Sequence, residues 1–199
     1  MAAVFCDSSV SEIKDILKIR LSKKRYTHSL NVAEAAERLA EKYGTDKEKA
    51  YFAGLVHDIC KEIPHEEQLK MAVACCQGMG ITEQKIPALY HSAAGSWYCE
   101  HVLHVKDREI LDAVRYHTAG RAEMTLTEEI IYLADLISDD RSYKDVNKMR
   151  KLAFEDISKA MLEAVSFSVT DVIGKGSLIP ENSCAAYNYY AQLCKRKDQ

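Results

Sequence analysis

The sequence predicts an all-α fold. Only 3 Pro and 8 Gly punctuate 199 residues, which favours long regular elements over many turns. No segment sustains the period-two alternation of a half-buried strand, so no sheet is expected. Apolar residues recur instead at three- and four-residue spacings, which puts them on single stripes of helices. The length suits one domain with a sizeable core.

Ser8 or Ser9 can cap a first helix, with Glu12 at a capping-box position relative to Ser9. Val10, Ile13, Ile16 and Leu17 form its apolar side, and Ser22 to Lys24 is a short basic break. The next helix is predicted from about Arg25 to Tyr43. His28, Val32, Ala35 and Leu39 share its inward stripe, and Gly44 ends it. Thr45 or Asp46 caps a third helix, where Ala50, Ala53, Gly54 and His57 fall on one face. Three small residues there allow another backbone to approach closely. Pro64 then disfavours helical geometry at Ile63 and breaks the chain.

A helix from His65 to Cys76 is predicted with Leu69, Val73 and Cys76 inward. Gly78 and Gly80 mark a loop, and a short irregular helix covers Glu83 to Leu89. His91 opens a helix to about His101, and Asp107 caps another to His117 with Ile110 and Val114 on its inward stripe. Thr127 is the expected cap of a helix from Glu128 to Ile137. One long helix is expected from about Asp145 to Phe167, with Met149, Ala153, Ile157, Ala160 and Ala164 inward. Ile173 to Gly176 is a flexible link. Pro180-Glu181-Asn182 opens a last helix whose apolar side is Tyr187, Tyr190 and Leu193.

The net charge of -3 offers no electrostatic reason to expect nucleic acid. No run of about twenty apolar residues is present, so no spanning helix is expected. The first residues lack the basic start and apolar core of a signal peptide. The 7 cysteines are odd in number and contain no C-x-x-C pair, which reads as reduced thiols in a cytoplasmic protein.

Against this background, two features are anomalous. His57 and Asp58 stand together at the end of the apolar run Ala53-Gly54-Leu55-Val56, and Asp135 interrupts Ile130-Ile131-Tyr132-Leu133-Ala134. Burying ionisable groups is costly without partners, and either a metal ion or an ion pair with Arg or Lys would relieve the cost. His28, His57, Asp58, His91, His117 and Asp135 are together the candidate ligands, drawn from separate helices or helix ends. Imidazole and carboxylate without thiolate suit Fe, Mn, Zn, Ni or Mg. His65, His101 and His104 are read as exposed, and the Tyr187–Tyr190 aromatics as packing.

In order along the chain, His28, His57-Asp58 and Asp135 resemble the H…HD…D pattern of the HD-domain phosphohydrolases. Arg25-Tyr26-Thr27-His28-Ser29, His57-Asp58-Ile59-Cys60-Lys61, His91-Ser92-Ala93, Tyr116-His117-Thr118 and Leu133-Ala134-Asp135 look like one branch of them, the YqeK-type proteins. These are bacterial symmetrical bis(5'-nucleosyl)-tetraphosphatases, which cut diadenosine tetraphosphate into two ADP. The likeness covers about residues 24 to 190. Two stretches depart from it: Met1 to about Phe5, which bears no motif, and the region around His101 and His104.

The resemblance implies a single all-helical HD domain over 1–199, with its core at about 24–140 and a C-terminal helical extension at about 145–195. It implies a dinuclear iron centre, with Mn, Ni, Zn or Mg as substitutes. His28, His57, Asp58 and Asp135 match the metal ligands, and His91 and His117 match positions facing a second metal or the phosphate. Asp58, His91 and His117 are the expected catalytic groups; whether Asp58 also accepts a proton stays open. Arg25, Lys61, Glu62, Ile63, Pro64, His91, His117, Asp135, Arg141, Pro180, Asn182 and Ser183 match positions near the bound nucleotide. The implied reaction is attack by water activated on a metal, which lowers its pKa to about 7. The expected partner is a small nucleotide, with no nucleic acid or membrane, and a homodimer is the assembly to test for. A nucleotidase, a cyclic-nucleotide phosphodiesterase or a non-catalytic nucleotide sensor are the rival readings.

Overall fold

The computed structural model describes residues 5–197. Both ends of the expected 1–199 unit, and the N-terminal extension except Phe5, lie outside them. The Phe5 ring packs 5.5 Å from that of Phe52. The described residues form ten α-helices in the order α1 (Val10–Arg20), α2 (Lys23–Tyr43), α3 (Lys47–Val56), α4 (His65–Ala74), α5 (Tyr90–His101), α6 (Arg108–Tyr116), α7 (Leu126–Ile137), α8 (Val146–Glu155), α9 (Ile157–Gly174) and α10 (Glu181–Lys197). Two 3₁₀ turns, Glu83–Lys85 and Pro87–Leu89, lead into α5. No strand occurs among the described residues, so the fold is all-α. No helix among them is long and apolar enough to cross a membrane.

The architecture grows from the packing of α2 on α3. Gly54 of α3 lies so close to α2 that an added Cβ would stand 2.9 Å from the Cα of Ala33. The predicted small-residue face is therefore a close helix crossing. Val32, Ala35 and Leu39 of α2 and Ala53 and Val56 of α3 are fully buried around it. α7 packs on α2 and also meets α3, α5 contacts both α4 and α6, α8 and α9 pack against α7, and α10 packs on α9. Arg20 ties α1 to the turn after α3: its Nε donates to the carbonyl of Ile59 at 3.2 Å, and its guanidinium lies 4.1 Å from the Tyr98 ring centre.

The helix ends follow local chemistry. Ser9 and Glu12 make the predicted capping box of α1, and Asp46 caps α3. Gly44 ends α2 with φ 70°, a conformation glycine adopts at little cost. Ser22, expected in a break, is instead the cap of α2, accepting from the Arg25 amide. The cap of α7 is Thr125, not Thr127, because Glu128 stands three residues on and returns its carboxylate to the Thr125 amide at 2.8 Å.

Five helices, α1, α4, α8, α9 and α10, depart from the sequence reading. The expected single helix over 145–167 is two, α8 and α9, because Asp156 takes an extended conformation (φ -149°, ψ 105°) and caps α9 through the Lys159 amide. The second of them runs through Ile173 to Gly174, so the link starts at Lys175. The inward face of α4 is Gln68 and Ala72 with Cys75 just beyond; Leu69 is half-buried, and Val73 and Cys76 are exposed. Gln68 turns inward because its amide donates to the carbonyls of Lys61 and Ile63 in the preceding turn. In α1 and α10 the stripes are narrower than expected, with Val10 and Tyr187 exposed and Ile13, Leu17, Ala186 and Tyr190 buried.

Candidate metal centre

The six candidate ligands converge at one end of the α2–α3 crossing. His28 sits on the inward stripe of α2, below the Ser22 cap. α3 stops at Val56, and His57 and Asp58 occupy the turn that follows, with the Lys61 amide donating to the Asp58 carbonyl at 2.8 Å. His91 lies in the first turn of α5, His117 just past α6, and Asp135 in the last turn of α7. Gly95 of α5 packs between α6 and the turn, where an added Cβ would stand 3.2 Å from a Val114 methyl and at ordinary contact, 3.5 Å, from the His57 carbonyl oxygen.

The imidazoles form a row. Ring centres are 5.3 Å apart for His28 and His57, 5.0 Å for His57 and His117, and 5.1 Å for His91 and His117. Nδ1 is anchored in three of them. His57 Nδ1 donates to the Gly54 carbonyl at 2.7 Å and His117 Nδ1 to the Val114 carbonyl at 2.8 Å. His28 Nδ1 is 2.8 Å from Asp140 Oδ2. A proton on Nδ1 leaves the Nε2 lone pair of each ring for a ligand. His91 Nε2 and His117 Nε2 face each other at 3.2 Å.

Three groups each place their donor atoms within 4.8 Å of one another: His28, His57 and Asp58; His57, His117 and Asp135; and Asp58, His91 and His117. His28 Nε2, His57 Nε2 and Asp58 Oδ1 are buried without a hydrogen-bond partner. Nε2 of His28 is 3.0 Å from Asp135 Oδ1, but off the line of a hydrogen bond. Buried polar atoms are rarely left so, and a cation among them would satisfy all three. The nitrogen and oxygen donors fit a hard or borderline divalent ion. Cys60 is not among them: burial raises its thiol to about 11, and its sulfur lies toward Arg20.

Electrostatics agree with a cation site. Burial works to raise the Asp58 carboxyl, but His57, His117 and His91 outweigh it and hold the group well below the usual carboxylate range. Burial likewise opposes ionisation of Asp135, and His28, His57 and Arg141 overcome it. Burial, reinforced by Lys61, pushes His91 well down, and burial lowers His117, so both rings are neutral and ligand-competent. Burial would lower His57 too, yet Asp58 and Asp135 push it up, as expected where carboxylates attract positive charge.

Cations stand at the rim. Arg25 Nη1 is 2.8 Å from Asp58 Oδ2, and Lys61 Nζ is 3.0 Å from His91 Nε2 and 3.9 Å from Asp58 Oδ1. Arg141 ion-pairs with Asp135, so the half-buried carboxylate has both the basic partner and the cluster that its sequence context left as alternatives. The side chains of Arg25, Lys61 and Arg141 are about one-third exposed, whereas that of Asp58 is 3% exposed.

Beyond the rim lies an apolar groove of about 380 Å³, lined among others by Leu89, Ala119, Leu136, Phe167, Pro180 and Ser183. Thr118 lines it too, and its Oγ1 lies 3.2 Å from His91 Nε2, so groove and centre adjoin. Ser183 Oγ donates to the Ala119 carbonyl at 2.7 Å. Asn182 reaches instead to Glu83, at 3.3 Å. Glu62 is drawn to the start of α2, where Ser22 Oγ donates to it at 2.8 Å. Ile63 is half-buried, and Pro64 is exposed at the start of α4. His65, His101 and His104 are exposed, as expected, and all seven cysteines are free.

Sequence reasoning missed two groups. Asp140, three residues past α7, touches His28. Arg115, on the inward side of α6, makes a buried ion pair with Glu83 at 2.6 Å and donates to the Gly78 carbonyl. A long basic side chain two residues before His117 was the available signal.

Comparison with known proteins agrees with this geometry. The family model for the HD domain matches residues 25–140. A Bacillus subtilis (strain 168) protein named symmetrical bis(5'-nucleosyl)-tetraphosphatase is 34% identical over 87% of this chain and 92% of its own length. A Staphylococcus aureus (strain NCTC 8325 / PS 47) protein of the same name is 32% identical over 92% and 94%. The crystal structure of a Clostridium acetobutylicum protein, described as a predicted HD superfamily hydrolase involved in NAD metabolism, superposes with a TM-score of 0.89 at 38% identity. That match covers 93% of this chain and 98% of the other. The chain therefore belongs to the HD-domain family, in the branch that holds the symmetrical bis(5'-nucleosyl)-tetraphosphatases.

Proposed function

We propose that this chain hydrolyses diadenosine tetraphosphate and related dinucleoside polyphosphates symmetrically, releasing two ADP. The observation that carries the proposal is the layering of charge: carboxylates and imidazoles with unpartnered atoms on the floor, three cations on the rim and an apolar groove beside them. The names of the relatives support the same substrate.

His28, His57, Asp58 and Asp135 would hold the metal, and His91 and His117 a second ion or the phosphate. The ions proposed are two irons, with Mn, Ni, Zn or Mg able to take their place. When bound, a divalent pair supplies acidified water and neutralises charge on the phosphoryl group. The chain's own residues supply the rest. The polyphosphate meets Arg25, Lys61 and Arg141 first, and their charge-assisted hydrogen bonds fix its register against the floor. Asp58, held ionised, is the proposed acceptor for the proton of the attacking water. Where His91 and His117 face the phosphate and not an ion, their neutral rings can take that proton on, since their Nε2 atoms lie 3.4 Å and 3.6 Å from Asp58 Oδ1. Lys61 donates to the phosphate that leaves. The Leu89, Leu136 and Pro180 side of the groove takes a nucleoside.

Metal analysis of the purified protein, beside turnover on a nucleotide panel, tests this reading. Iron together with ADP as the sole nucleotide product from the tetraphosphate is expected. Phosphate release from mononucleotides or opening of cyclic nucleotides, with the dinucleotide untouched, would replace the proposal by one of its rivals.

A further inference from the structure

Two of the three anchored imidazoles at the centre use the backbone. His57 and His117 each donate Nδ1 to the carbonyl three residues earlier, a partner no substitution can remove. His28 does not do this: within α2 its Nδ1 turns away from the helix backbone to another element. Its Nδ1 partner comes from 112 positions along the chain: Asp140 Oδ2, at 2.8 Å.

Asp140 is itself fixed from two directions. Asn31, one turn along α2 from His28, donates Nδ2 to Asp140 Oδ1 at 3.1 Å. The turn that carries Asp140 is clamped by Arg150 of α8, which donates to the carbonyls of Ile137, Ser138 and Arg141 at 3.0, 2.9 and 3.0 Å. The same turn delivers Arg141 to Asp135. His28 Nε2, on the far side of the ring, is buried with no hydrogen-bond partner.

We propose that Asp140 is the positioning residue for His28: it holds the proton on Nδ1 and aims Nε2 into the metal centre. The carboxylate also raises the donor strength of the ring, as outer partners of ligating histidines do. The inference rests on His28 being a ligand. It makes metal retention depend on α8 through Arg150, although α8 brings no ligand of its own.

The test is the affinity of the metal-stripped full chain for Mn²⁺, read as free ion by electron paramagnetic resonance, with melting of the metal-free protein alongside. Asp140→Ala should weaken Mn²⁺ binding by about 10–100-fold. Asp140→Asn keeps an oxygen to accept from Nδ1 and should lose less, so the order is wild type, Asn, Ala. Metal-free melting should move little in the isosteric Asn variant, and the binding loss should persist where the fold is intact. An Asp140→Ala protein that binds Mn²⁺ within twofold of wild type would overturn the proposal. So would equal losses in the Asn and Ala variants, which would leave only the charge of Asp140 and no orienting role. His28→Ala is the reference: if it binds as wild type does, the ligand assignment itself fails, which is a different result from Asp140 being dispensable.

Discussion

Gly54 and Ala33 set the distance between α2, which carries the candidate ligand His28, and α3, whose end leads into His57. A Cβ on Gly54 would lie 2.9 Å from the Ala33 Cα and 3.1 Å from the Ala33 nitrogen, both backbone atoms that cannot swing aside. The same crossing brings the His28 and His57 rings to 5.3 Å. Gly54→Ala should therefore destabilise the fold by about 1–3 kcal/mol, the usual cost of overpacking. It should also weaken metal binding as the helices part. Thermal unfolding and metal content of one preparation measure both; an unchanged melting temperature would show that the crossing is looser than the contact indicates.

Asp135→Ala and His57→Ala each remove a donor from the cluster, and Asp135 also neutralises Arg141. Both variants are expected to lose bound metal and turnover together. Elemental analysis beside an activity assay checks this. Wild-type activity in either variant would move the site elsewhere.

The rim cations should act on substrate more than on metal. Arg141→Ala is expected to cost about 1.5–3 kcal/mol in kcat/KM, the worth of a charge-assisted hydrogen bond. Most of this should appear as a raised KM. Raising the ionic strength should weaken the wild type in the same direction, because the arginine is partly exposed and screened by salt. Steady-state kinetics at two salt concentrations, with metal content measured in parallel, separates this from loss of the ion.

Away from the centre, Glu83 and Arg115 form the most buried ion pair of the described residues, with side chains 0% and 2% exposed. Glu83→Ala strands the guanidinium in the interior. The expected loss is about 3–5 kcal/mol, which denaturant unfolding would register directly. Glu83 also receives Asn182 and the Gly80 amide, so the start of α10 should loosen with it.

How much of this was legible in the sequence depended on whether a residue's partner was local. Gly44, the Ser9–Glu12 box and the inward stripe of α2 are read from neighbours a turn away, and each stands where expected. The His57-Asp58 pair and Asp135 stood out because charge within apolar runs is costly. The break at Asp156 is invisible in the sequence because the apolar stripe through Met149, Ala153, Ala160 and Ala164 continues across it in register. Gln68 was passed over because an amide on an inward face is explained only by the turn carbonyls it serves. Asp140 and the Arg115–Glu83 pair were hidden for a related reason: their partners lie 112 and 32 positions away.

The proposed reaction at this site splits a dinucleoside tetraphosphate down the middle. It is tested most directly by separating the nucleotide products formed from diadenosine tetraphosphate by the metal-loaded protein. ADP as the single nucleotide product is the expected result. ATP and AMP in equal amounts, or an intact substrate beside fully occupied metal, would contradict it.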